Sequence, residues 1–89
     1  MQYNLDMDEY ILQTYEALTT RIREIPDYRV RRDLLKMYKT CENLRREIAQ
    51  EQVNSRNVAT SHKLLHLHNK FTESVTNLDQ YVTLALLSI

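Results

Sequence analysis

The sequence predicts an all-α fold, an up-down-up antiparallel three-helix bundle. Three observations carry this reading: no glycine among 89 residues, an abundance of Leu, Arg, Glu, Gln, Lys and Met, and apolar stripes spaced alternately by four and three residues. The tight turns of a hairpin-rich β protein call for residues that accept positive φ, which glycine supplies most cheaply. The abundant long side chains lose little rotamer freedom in a helix. The apolar spacing matches one face of a helix rather than the alternation of a strand.

The first helix is expected over about residues 6–25. Asp6 and Glu9 stand at the separation of a capping box, with Asp in place of the usual Ser or Thr. Ile11, Tyr15, Leu18, Ile22 and Ile25 follow as one stripe. Pro26 ends it, because proline disfavours helical geometry at Ile25 and has no N–H to donate. The same proline suits the first position of a following helix, which makes the link short and the two helices antiparallel.

The second helix is expected over about 27–53, with Val30, Leu34, Met37, Cys41, Leu44 and Ile48 on its stripe. The next positions in phase, Glu51 and Ser55, are polar. The third is expected over about 58–88, with Leu64, His68, Phe71, Val75, Leu78, Val82, Ala85 and Ile89 in phase. These two segments do not read as one rod. Twenty residues separate Ile48 from His68, and a straight helix would rotate the second stripe by about 200° from the first. A turn is expected at Asn54-Ser55-Arg56-Asn57, with residues 49–63 as a polar tip of a single 1–89 domain.

Charge is balanced at twelve basic and twelve acidic residues, so the total favours neither nucleic acid nor a membrane surface. Its distribution is uneven. Residues 1–20 carry four acids and no Lys or Arg, whereas residues 21–46 carry nine basic residues against four acids. On the second helix, Arg29, Arg32, Lys36, Lys39 and Arg46 line up opposite the apolar stripe. This basic face, or the polar tip at 49–63, is expected to bind a protein partner, one of acidic character at the basic face. Nucleic acid is the alternative, weakened because no aromatic residues interleave for base stacking and Asp33 and Glu42 sit nearby.

Leucines beyond the third stripe suggest a second surface. Leu84, Leu86 and Leu87, with Tyr81, flank the stripe near its end and are expected to mediate self-association, as a dimer through the third helix.

Catalytic, cofactor and metal sites are not expected. A phosphate-binding glycine loop is impossible without glycine. His62 and His66 stand one helical turn apart, but no cysteine or carboxylate at matching spacing completes a tetrahedral set. Cys41 lies on the core stripe, where cysteine acts as a small hydrophobe. A lone cysteine cannot form an intramolecular disulfide, and the N-terminus lacks the basic-then-apolar order of a secretory signal. The apolar run from Tyr81 to Ile89 is too short to span a bilayer. These features point to a cytoplasmic, non-enzymatic adaptor, regulator or inhibitor of the small kind that bacterial and phage genomes carry.

Overall fold

The computed structural model describes residues 8–54 and 58–89, with side chains for 8–53 and 62–89. Three helices account for nearly all of it: α1 (Glu9–Arg23), α2 (Tyr28–Asn54) and α3 (Val58–Leu87). Each pair of helices is packed together, and no strand occurs among the described residues.

Local chemistry explains the helix ends. The α1 cap is Asp8 rather than Asp6, which lies outside the described residues; Asp8 Oδ1 accepts from the backbone N–H groups of Tyr10 and Ile11 at 2.8 and 3.3 Å. These N–H groups have no partner inside the helix, so a carboxylate oxygen satisfies them and complements the helix dipole. At the other end the N–H groups of Glu24 and Ile25 donate to Arg21 and Ile22 carbonyls, tightening the last turn.

Pro26 is not the first residue of α2. It stands one place before the cap Asp27, whose Oδ1 accepts from the N–H groups of Arg29 and Val30 at 2.8 and 3.4 Å. Capping needs a side-chain acceptor, which proline lacks and aspartate has. The link is further held by Arg31, whose guanidinium donates to the Ile25 carbonyl at 2.8 Å. The expected turn between α2 and α3 falls largely on residues 55–57, outside the described residues; α2 ends at Asn54 and α3 begins at Val58.

Side-chain contacts set the directions of the chain. Tyr15 of α1 stacks on Tyr38 of α2, with ring centroids 5.2 Å apart, and meets Phe71 of α3 edge-on at 5.3 Å. Six residues along α1, Arg21 is ion-paired with Asp79 of α3 and donates to Thr83 Oγ1. Toward the far end, Glu51 of α2 pairs with Lys63 of α3 at 3.4 Å. Thus α1 and α3 run parallel and α2 runs against both.

The core comprises Ile11, Tyr15, Leu18, Ile22 and Ile25 beside Leu34, Cys41 and Ile48, with Leu64, Leu67, Phe71, Val75, Leu78 and Val82 from α3. Met37, Leu44 and Ala85 are partly buried against it. Two stripe positions are not core. Val30, in the first turn of α2, borders an open groove, and Ile89 follows the end of α3, where the helical phase no longer directs the side chain. His68 is half-buried rather than a full core residue.

The longest dimension is 48 Å, close to the ~45 Å length of a thirty-residue helix. With fifteen residues, α1 spans only ~22 Å. It covers the half of the α2–α3 pair nearest the Pro26 link. Past the N-terminus of α1 the two longer helices continue together, joined by the Glu51–Lys63 pair.

Candidate functional site

The outer face of α2 is the strongest candidate surface. The core stripe of α2 turns inward, so Arg29, Arg32, Lys36, Lys39 and Arg46 are all exposed on the far side. Arg29 to Lys39 spans ten residues, a rod of ~15 Å. Their partners differ. Lys39 donates to Glu42 Oε1 at 3.0 Å, and Arg46 approaches the same oxygen at 3.9 Å. The hydrogen bond from Lys39, helped by the charges of Lys39 and Arg46, lowers the Glu42 carboxyl from its ordinary value. Protonation of Glu42 at acid pH removes the charge that holds these pairs together. Arg32 lies 3.8 Å from Asp33, a solvent-exposed pair of little energetic weight.

Two apolar side chains on this face were not singled out from the sequence. Tyr28 is 63% exposed, and the guanidinium groups of Arg31 and Arg32 lie 6.0 and 5.8 Å from its ring centroid. Leu35 is exposed one heptad further on. The signal was present in the spacing: Tyr28, Arg32, Leu35 and Lys39 recur at four, three and four residues, a second phase on the same helix. The N-terminal half of the face thus combines two apolar anchors with surrounding cations.

The other singled-out residues fall as follows. Tyr81, Leu84 and Leu87 are exposed on α3, whereas Leu86 turns inward and packs against the core. Near Leu84, a groove of about 370 Å³ is lined by Ile25, Pro26, Val30, Ala85 and Ile89. At the opposite end a smaller hollow of about 270 Å³ lies among Glu47, Gln50, Glu51, Lys63 and Leu67. His62 and His66 are exposed, and no group of three metal-ligating side chains occurs among the described residues.

The interior offers packing rather than reactive groups. Burial raises the Cys41 thiol to about 11, which keeps it protonated at neutral pH. Burial and, next, hydrogen bonding to Tyr38 push the Tyr15 phenol above its ordinary value. The Arg45 guanidinium of α2 lies over the Tyr15 ring, 5.8 Å from its centroid.

No family model, curated protein or solved structure matches the chain. The functional reading therefore rests on the surface itself. No helix among the described residues is long and apolar enough to cross a membrane.

Proposed function

We propose that the protein is a small interaction module, an adaptor, regulator or inhibitor acting in the cytoplasm, that docks an acidic segment of a protein partner along the outer face of α2. The observation that carries this reading is the pairing of exposed Tyr28 and Leu35 with Arg29, Arg32, Lys36 and Lys39 on one rigid helix. Apolar anchors supply affinity through desolvation, and aromatic and arginine side chains are the commonest strong contributors at protein interfaces. The surrounding cations select carboxylates and accelerate encounter. A buried thiol and a core filled by its own side chains support binding rather than catalysis.

Nucleic acid fits this face less well. Phosphate tracking favours an unbroken row of free cations, and here Asp33 and Glu42 interrupt the row, with Glu42 engaging two of its members. Stacking of successive bases needs several aromatic platforms, and this face presents Tyr28 alone among the described residues.

The test uses a labelled helical peptide with leucine on one face and glutamate on the other, followed by fluorescence anisotropy. Binding should weaken with added salt and fall by about tenfold or more in the Arg32→Glu, Lys36→Glu double variant. Leu35→Asp should weaken it as well, which charge attraction alone does not require. If a short DNA duplex is retarded in a gel at low salt while the peptide fails to bind, the nucleic-acid alternative replaces this reading.

A further inference from the structure

We infer that the end of the bundle bearing the Pro26 link is a self-association face, where a second copy of this chain docks across α3 about Leu84. Leu84, Leu87 and Ile89 are 61%, 77% and 74% exposed there. Tyr81 and Val30 are also exposed beside them, and Val30, Leu84 and Ile89 share one groove with Pro26. Tyr81, Leu84 and Leu87 recur every three residues, so they form a strip along the helix with Leu84 at its centre.

The size of the patch suits a dimer. At roughly 100 Å² for each side chain, the five residues present about 500 Å² of apolar surface, at the upper range for a monomer. Apolar atoms make up a little over half of an interface, so the patch with its polar rim reaches about the 800 Å² that each partner contributes to a standard one.

Charge does not oppose a second copy at this strip. A twofold axis brings each patch against itself, so any charge it holds meets its own kind. Residues 81–89 contain no charged side chain. Asp27 is the charged residue lining the groove, and its carboxylate already caps α2. The basic face of α2, by contrast, would repel its own copy. The two surfaces thus separate by chemistry: the uncharged strip of α3 pairs with itself, and the basic face remains open to an acidic partner.

Sedimentation equilibrium on the full chain tests this. The native protein should approach twice 10.7 kDa at high concentration and dissociate on dilution. Leu84→Glu should weaken the association by about tenfold or more, with helicity by circular dichroism unchanged, because the side chain is largely exposed in the monomer. Leu35→Glu, on the other surface, should leave the dimer intact. A native chain that stays monomeric at every concentration, or a dimer indifferent to Leu84→Glu, overturns the inference.

Discussion

Replacing Phe71 with alanine should destabilise the protein by about 3–5 kcal/mol, read as a shift in the urea unfolding midpoint at constant slope. Phe71 is fully buried at the level where all three helices meet, edge-on to Tyr15. Removing the ring takes away its transfer free energy and leaves a cavity that helices from three directions cannot close together. It also strips the Tyr15–Tyr38 stack of its support from α3. A domain of this size has a total stability of roughly 5–10 kcal/mol, so the variant should be at the edge of folding at room temperature. A loss below about 1 kcal/mol would mean that the side chain is not enclosed.

Leu18→Ala should cost about 2–5 kcal/mol and act first on α1. Leu18 is fully buried, midway along the stripe that holds α1 to the other two helices. A helix of fifteen residues is marginal in water by itself, so α1 exists because its apolar face is docked. Weakening that face should let α1 detach before α2 and α3 separate. Hydrogen exchange should then show α1 amides losing protection well ahead of those around Val75 and Leu78. Equal loss of protection across the three helices would show a single cooperative unit without this early step.

Much of the bundle was legible because helical phase is a local property of the chain. Ile11 through Ile25 repeat without interruption, and every member of that stripe is buried. The phase break between Ile48 and His68 likewise required a change of direction, and α2 and α3 pack as separate helices. What the stripe could not convey was where a neighbouring helix stops. Val30 and Ile89 keep the phase but lie at the open end of the bundle, and Leu67 is out of phase yet buried. Leu67 stands one helical turn before Phe71, so it shares the buried face although it lies beside the main stripe.

The caps were misplaced for a different reason. Asp6 and Asp8 offer similar carboxylates two residues apart, and Pro26 and Asp27 compete for the start of α2. Only the backbone direction at each end decides which oxygen reaches the free N–H groups. On the candidate surface, the five cations were visible from spacing alone. Tyr28 and Leu35 repeat in the same phase as Arg32 and Lys39, a second register that a reading for cations alone passes over. Leu86 illustrates the converse, as a leucine grouped with the exposed set that turns inward against the core.

Small-angle X-ray scattering from the Leu84→Glu chain at low concentration measures the packing directly. Three helices folded side by side should give a radius of gyration close to the Cα value of 14.9 Å. If residues of α2 and α3 instead formed a continuous rod of ~90 Å, the value would rise to roughly 26 Å, and the bundle would be contradicted.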